Sequence, residues 1–171
     1  LQLQGKTIAV VGFGRIGRRV AELLTPFGVD IIVIDPNVDD GGCSPHRKMN
    51  LREALTEADI ITIHSSGEDR IIDEKEFACM RRGVYLLNVA RGGVVPEKAL
   101  IKALEDGIVA GAWIDTFEEE PYAGPLCGFP NVILTPHVGS YTAECRNRME
   151  SEAAENLLNA LKGMHPESRL K

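Results

Sequence analysis

An arginine directly follows a run of apolar residues and precedes two glycines in the stretch VYLLNVARGG, residues 84–93. A buried strand that ends in a charged residue and a flexible turn places a working group at the edge of a sheet. Arg91 would then offer a guanidinium group to an anionic ligand. The alternative is a strand that ends at the surface, where Arg91 meets only water. The stretch alone favours this alternative, so other motifs must decide.

A glycine-rich turn stands near the start of the chain. VVGFGRIG contains Gly12, Gly14 and Gly17 in the spacing G-x-G-x-x-G. It follows a predicted strand, opens a predicted helix, and precedes the acidic residue Asp35 at the end of the next strand, which is the context of a dinucleotide-binding turn. Gly12 would allow the tight turn, Gly14 the approach of a pyrophosphate, and Gly17 close packing of helix and strand.

The start of the helix after this turn would bind the phosphates of the dinucleotide. Arg15 and Ile16 stand there, where free amides and the positive end of the helix dipole attract anions. Asp35 lies 18 residues after Gly17, close to the spacing of about 20 expected for a ribose-binding carboxylate. Such a carboxylate accepts hydrogen bonds from both ribose hydroxyls and repels a 2′-phosphate, so NAD is favoured over NADP. Two alternatives remain: a glycine turn kept for packing, and the glycine-rich loop of a methyltransferase.

Short apolar runs alternate with amphipathic stretches along the chain, which predicts βαβ units and a parallel sheet. We expect a Rossmann-type, doubly wound α/β fold with helices on both faces of the sheet. A loop rich in Glu, Pro and Gly, residues 116–130, is unusually long for such a domain, so we expect it to have a functional role. The predicted strands are 6–12, 29–35, 60–64, 84–89, 108–115 and 131–135, and the predicted helices are 15–28, 50–59, 73–83, 96–107 and 142–163.

Composition and charge exclude several classes of function. The net charge of −6 argues against binding of nucleic acid or anionic membranes through bulk electrostatics, and no apolar run approaches the roughly 18 residues of a membrane span. Four widely spaced cysteines argue against a disulfide framework or a metal site and for a reducing, cytoplasmic compartment. The chain enters a strand at once and lacks an initiator Met, so we expect that it has no signal peptide and that sequence precedes it.

Three further stretches carry a family resemblance: LLNVARGGVV (86–95), GAWIDTFEEEP (111–121) and VILTPHVGS (132–140). Together with the glycine turn they resemble the D-isomer-specific 2-hydroxyacid dehydrogenases, the family of phosphoglycerate and D-lactate dehydrogenases. The resemblance covers only the NAD-binding domain of that family, which we expect to span residues 1–163, with 164–171 as a C-terminal tail. It implies that the substrate-binding domain, built mostly from upstream sequence, is absent here.

The resemblance implies a role for several residues of these motifs. His137 corresponds to the catalytic acid–base, Glu120 to its acidic partner, and Arg91 to the arginine that binds the substrate. Asp115 corresponds to the aspartate that approaches the nicotinamide carboxamide, and we place Ala90 among the cofactor-binding residues. A loop histidine without a role, and an acidic partner displaced by one residue, are the alternatives for His137 and Glu120.

His64 ends the third predicted strand, near the expected adenosine half of the cofactor. We include it among the cofactor-binding residues, although a structural role is the stronger alternative. The family commonly continues from this histidine through a proline and a threonine, whereas this chain reads HSSGEDRII. Trp113, on a buried strand, is expected in the core.

Two functions follow from the resemblance. The first is an oxidoreductase that transfers a hydride between NAD(H) and a small D-2-hydroxy acid or 2-keto acid, and this chain alone would bind NAD but turn over little substrate. The second is an NAD-controlled binding module of the kind found among co-repressors of the same family. The resemblance also admits a homodimer formed through this domain.

Overall fold

The computed structural model describes residues 2–164 of the chain, and its strands and helices alternate as the apolar runs predicted. The strands are β1 (Thr7–Val11), β2 (Asp30–Ile34), β3 (Arg47–Lys48), β4 (Ile60–Ile63), β5 (Val84–Asn88), β6 (Val109–Ile114) and β7 (Val132–Leu134). The helices are α1 (Arg15–Leu24), α2 (Asp40–Cys43), α3 (Leu51–Glu57), α4 (Glu74–Phe77), α5 (Glu97–Glu105) and α6 (Ala143–Leu161).

Within the described residues, seven strands form one parallel sheet in the order β3-β2-β1-β4-β5-β6-β7. The first strand, β1, lies between β2 and β4, so the order of the strands reverses beside it. In a doubly wound sheet, ligands bind outside the carboxyl ends of the strands at this reversal. The predicted fold class is confirmed.

Alternate residues of the central strands enter two separate cores, one on each face of the sheet. Ile8 and Val10 pack on one face with Ala21 of α1. Ala9 and Val11 pack on the other face, which α3 and α5 cover. Because both faces are buried, the strands read as continuous apolar runs and not as an alternation of apolar and polar residues.

The chain divides into two compact units, residues 1–137 and residues 138–171. The first contains the whole sheet. The second contains α6, whose N-terminus is capped by the Thr142 hydroxyl, which accepts from the Cys145 N–H at 3.2 Å. The predicted tail, apart from Met164, lies outside the described residues, and the domain bounds 1–163 and 164–171 remain a prediction. No helix among residues 2–164 is both long and apolar enough to cross a membrane.

The polar segment after β2 contains two elements that the sequence did not predict. Asp39 caps the short helix α2 by accepting from the Gly42 N–H at 2.7 Å. The two-residue strand β3 then pairs with β2. Neither element has an apolar run, so hydrophobic periodicity could not reveal them. Helix α4, by contrast, is shorter than predicted: it ends at Phe77, and the chain continues in turns.

Candidate functional site

The glycine-rich turn lies at the carboxyl end of β1. Gly12 has a φ of 90°, which favours glycine, and its N–H donates to the Ile34 carbonyl at 2.8 Å. A Cβ atom at Gly12 would lie 2.6 Å from the Ser65 nitrogen. The turn is therefore held tightly between the ends of β2 and β4, and only glycine fits there.

The other two glycines of the turn have opposite surroundings. A Cβ atom at Gly14 would meet nothing within 4 Å, so this stretch of backbone is open to a ligand. A Cβ atom at Gly17 would overlap the Gly12 carbonyl oxygen, so helix and strand approach closely there. Arg15 and Ile16 are exposed in the first turn of α1, which contains no acidic residue. The start of α1 can therefore receive an anion.

Asp35 is fixed beside this turn by two backbone N–H groups. Its Oδ2 atom accepts from the Phe13 nitrogen and its Oδ1 atom from the Asn37 nitrogen, both at 2.8 Å. Each carboxylate oxygen has a second lone pair, so the group can still accept hydrogen bonds from a ligand. The Phe13 contact joins the carboxylate directly to the glycine turn.

Unpaired polar atoms follow β4, on the opposite side of the glycine turn. His64 Nε2 lies 2.9 Å from the Thr62 hydroxyl, but His64 Nδ1 and Ser65 Oγ are buried without a hydrogen-bond partner. Burial lowers the pKa of His64 below its ordinary value, so the ring is neutral at pH 7. Buried polar groups are nearly always paired, so these two atoms indicate a place for a polar ligand or for water.

Arg91 follows β5 in a turn that the side chain of Asn88 shapes. Asn88 is buried; its Oδ1 atom accepts from the Ala90 N–H at 3.1 Å, and its Nδ2 atom donates to the Arg91 carbonyl at 2.9 Å. Arg91 is exposed, and its guanidinium donates to the Ala90 carbonyl at 2.7 Å. Ala90 itself is buried, so it can face a ligand only through its backbone. A side chain on Gly92 would overlap the Phe117–Glu118 peptide.

His137 and Glu120 form a hydrogen-bonded pair, with His137 Nδ1 at 3.2 Å from Glu120 Oε2. The Phe117 N–H donates to the other carboxylate oxygen at 3.1 Å. The Phe117 N–H first, and His137 second, hold the pKa of Glu120 below its ordinary value. The side chains of His137 and Glu120 are 49% and 37% exposed, so a small molecule can reach the pair.

His137 also has an unusual backbone. Its φ of 54° lies in the left-handed region, where it is the one non-glycine residue among residues 2–164. Such a conformation costs about 1–3 kcal/mol and is found mainly at functional sites. The His137 N–H donates to the Thr135 carbonyl at 3.0 Å, which holds the turn.

Asp115 lies at the end of β6 and is almost completely buried. It accepts from the Thr135 hydroxyl at 2.5 Å, and that hydroxyl accepts from the Trp113 indole N–H at 2.9 Å. Its own N–H donates to the Asn88 carbonyl at 3.0 Å. Asp115 is therefore tied to the ends of both β5 and β7.

The predicted catalytic residues thus stand on one edge of the sheet, where the parallel strands end. Arg91 follows β5, Glu120 lies in the loop after β6, and His137 follows β7. Of these three, the hydrogen bonds join only His137 and Glu120 directly. Arg91 is connected to the pair through Gly92, which packs against the peptide that follows Phe117.

Comparison with known proteins identifies the family. The domain family described as "D-isomer specific 2-hydroxyacid dehydrogenase, NAD binding domain" matches residues 1–139. This chain belongs to that family. The resemblance drawn from the four motifs is confirmed, and with it NAD as the cofactor of the domain.

Individual relatives agree with this assignment. The chain is 42% identical to a glyoxylate reductase of Thermofilum pendens over 96% of its own length and 51% of that protein. It is 38% identical to the D-3-phosphoglycerate dehydrogenase of Bacillus subtilis over 95% of its own length and 32% of that protein. The D-isomer specific 2-hydroxyacid dehydrogenase of Lactobacillus delbrueckii, solved in an NAD-complexed form, has a TM-score of 0.88 and 31% identity, covering 100% of this chain and 58% of that one. The chain thus spans about half the length of the first relative.

The residues of this 2-hydroxyacid dehydrogenase domain fit NAD. The open backbone at Gly14 and the start of α1 suit a pyrophosphate, and Asp35 can accept hydrogen bonds from a ribose. The unpaired His64 Nδ1 and Ser65 Oγ atoms border the same turn. Among residues 2–164, no group of three or more His, Cys, Asp or Glu side chains is placed to hold a metal ion.

Sequence reasoning missed the residues that hold the site residues in place. Asn88 orients the turn of Arg91, Thr135 bonds Asp115, and the Phe117 N–H bonds Glu120. One signal was available: a polar Asn88 inside an apolar run needs a buried partner. Trp113, which we expected in the core, is only partly buried and donates to Thr135.

Proposed function

We propose that this chain is the coenzyme-binding half of an NAD-dependent dehydrogenase that interconverts D-2-hydroxy acids and 2-keto acids. The contact between His137 Nδ1 and Glu120 Oε2 carries the proposal. A histidine paired with a carboxylate is an acid–base catalyst. It stands at the edge of the sheet where the glycine turn offers a site for NAD.

His137 would transfer the hydroxyl proton of the substrate. Glu120 engages Nδ1, which leaves Nε2 free to face a substrate. In the oxidation, Nε2 would take the hydroxyl proton, and NAD, when bound, would supply the acceptor for the hydride, so that a 2-keto acid would result. In the reduction, Nε2 returns the proton to the keto oxygen. The lowered pKa of Glu120 keeps it ionised, so that it can stabilise the imidazolium.

Arg91 would hold the substrate. Its guanidinium is exposed at the end of β5, and a guanidinium binds a carboxylate through two parallel hydrogen bonds. The positive charge would also stabilise negative charge that develops on the keto oxygen. Asn88 supports this role because it fixes the backbone on both sides of Arg91.

The cofactor-binding residues divide into three groups along NAD. The glycine turn, with Arg15 and Ile16, would receive the pyrophosphate. Asp35 would accept from the ribose hydroxyls and repel a 2′-phosphate. His64 would lie near the adenosine half of NAD, and Ala90 would lie on the side of the nicotinamide, which Asp115 would approach.

The rest of the active protein would include a substrate-binding domain, because half of the length of the glyoxylate reductase relative has no counterpart in this chain. The names of the relatives suggest a small 2-keto acid such as glyoxylate. We further propose that the complete protein is a cytoplasmic homodimer, and that this chain alone turns over little substrate.

The test joins this chain to the substrate-binding domain of the T. pendens glyoxylate reductase, with glyoxylate and NADH as substrates. His137→Gln should lower kcat by about 10²–10⁴-fold, which is the usual contribution of a general acid or base. The same substitution in the isolated chain should leave NAD affinity within about threefold of the wild type, because His137 follows β7 and the glycine turn follows β1, with three strands between them in the sheet. Full activity of the His137→Gln chimera would refute the proposal.

A further inference from the structure

We propose that Tyr122 is a positioning residue, which holds Glu120 in place for His137 by acting as a clamp within the loop after β6, between Phe117 and Leu126. The inference rests on the proposed function, because Tyr122 would act only through Glu120.

The ring of Tyr122 supports the part of the loop that holds Glu120. It stacks on Phe117, with ring centroids 4.2 Å apart and an interplanar angle of 15°. The backbone of Phe117 is also confined by Gly92, which packs directly on the Phe117–Glu118 peptide. The N–H of Phe117 is the donor to Glu120 Oε1. Fixing Phe117 therefore fixes a hydrogen bond to the carboxylate.

The hydroxyl group of Tyr122 closes the loop. It accepts from the Leu126 N–H at 3.0 Å, and Leu126 is buried in the core. Burial first, and the hydrogen bond to Glu97 second, raise the pKa of Tyr122 to about 12. A Cβ atom at Gly124 would lie only 2.5 Å from Tyr122 Cζ, so the loop folds tightly around the ring.

The loop packs on the core through Phe117, Tyr122 and the buried Leu126, but it also borders an open space. A cavity of about 710 Å³ opens there, lined by residues of the loop and by the beginnings of α4 and α5. Tyr122 lines this cavity, and it links the two ends of the loop through its stacking on Phe117 and the hydrogen bond from the Leu126 N–H. Glu120 lies between these two ends.

The pKa of the Glu120 carboxyl group reports on the clamp. The Phe117 N–H and His137 lower this pKa, whereas burial and, to a smaller extent, Asp115 raise it. If the clamp loosens, both hydrogen bonds to Glu120 weaken, and its pKa rises toward the ordinary value. A tyrosine that merely stabilised the fold would change the melting temperature and leave this pKa in place.

The experiment is a carbon-13 NMR titration of the Glu120 carboxyl group in the whole 171-residue chain. In Tyr122→Phe, which keeps the ring and loses the hydroxyl, the Glu120 pKa should rise by about 0.3 unit, the scale of an exposed charged contact. Tyr122→Leu, which also removes the stacking, should give a larger rise. Tyr141→Phe removes the same atom from an exposed tyrosine in the other unit and should change nothing.

Two results would overturn the inference, and they differ in what they say about the function. If the Glu120 pKa is lowered in the wild type but does not move in Tyr122→Phe and Tyr122→Leu, only the clamp is refuted. If it is not lowered even in the wild type, the pairing with His137 is absent as well, and the proposed function loses its acid–base pair. Tyr122→Phe keeps the test decisive even if Tyr122→Leu fails to fold.

Discussion

Substitution by alanine should have different effects at two glycines of the same turn: Gly17→Ala should lower the stability, and Gly14→Ala should weaken NAD binding. Gly17→Ala places a Cβ atom inside contact distance of the Gly12 carbonyl, and overpacking of this kind costs about 1–3 kcal/mol. The better helix propensity of alanine returns up to about 1 kcal/mol, so a net loss of about 1–2 kcal/mol is expected. For a chain of this size, that corresponds to a fall in melting temperature of about 2–8 °C.

Gly14→Ala should instead preserve the fold and weaken binding. Its φ of −75° suits alanine, and the new methyl group meets no protein atom within 4 Å. The small cost of alanine at an N-cap, about 0.5 kcal/mol, is offset by the lower entropy of the unfolded chain, so the melting temperature should stay within about 2 °C. The methyl group would stand where the pyrophosphate approaches, and NAD affinity should fall at least about tenfold.

Thermal unfolding without cofactor and calorimetric titration with NAD, applied to both variants, measure the two effects separately. Wild-type affinity in Gly14→Ala would show that the pyrophosphate does not pass over Gly14. A wild-type melting temperature in Gly17→Ala would show that helix and strand are not in close contact there. Either result would refute the division of roles within the turn.

Three further results are expected. Asp35→Asn, which removes the charge and keeps the shape, should reduce the preference for NAD over NADP by about tenfold; equal preference in wild type and variant, measured by calorimetry, would contradict the role of Asp35. Because burial lowers the pKa of His64, the unfolded state binds a proton at this residue more readily than the folded state does. The free energy of unfolding should therefore fall as the pH drops below 6.5. Urea unfolding at pH 7.5 and 5.5 should show that this fall in the free energy of unfolding is smaller in His64→Gln than in the wild type. His137→Gly should be more stable than His137→Ala by roughly 0.5–1 kcal/mol in urea unfolding, because only glycine accepts a φ of 54° without strain; equal stabilities would mean that the left-handed turn is not retained.

Most of the fold was predictable because a strand that is buried on both faces of the sheet needs a continuous run of apolar residues, which can be recognised in the sequence. Each of the six predicted strands is present, since each is a continuous apolar run between turn residues. The strand β3 was not predictable, because two paired residues, Arg47 and Lys48, carry no such run. The end of α4 was also misplaced, because its last turns form from i to i+3 hydrogen bonds that the side-chain pattern does not distinguish from a helix.

The site was predictable where a local motif determines the geometry, and not where distant segments meet. The three glycines have the surroundings that their spacing indicated, because strand, turn and helix are consecutive in the chain. The partners of Asp115 and Glu120 lie far away in the sequence. Thr135 comes 20 residues after Asp115, and His137 comes 17 residues after Glu120. The family resemblance implied the pairing of His137 with Glu120, whereas the bond from Thr135 to Asp115 was not predicted, because no local pattern specifies how the loop after β6 folds back.

The backbone of His137 is strained by the conformation that the site requires. An L-residue with a φ of 54° is strained, and a glycine would be easier to place there. The strain is compensated because the same turn that requires it brings Nδ1 within reach of Glu120, which the Phe117 N–H already holds. A histidine kept in a conformation that disfavours it, and aimed at an ionised carboxylate, is more readily explained by its chemistry than by its contribution to stability. The same reasoning applies to the unpaired His64 and Ser65 atoms beside the glycine turn, whose burial costs stability until a polar ligand or water satisfies them.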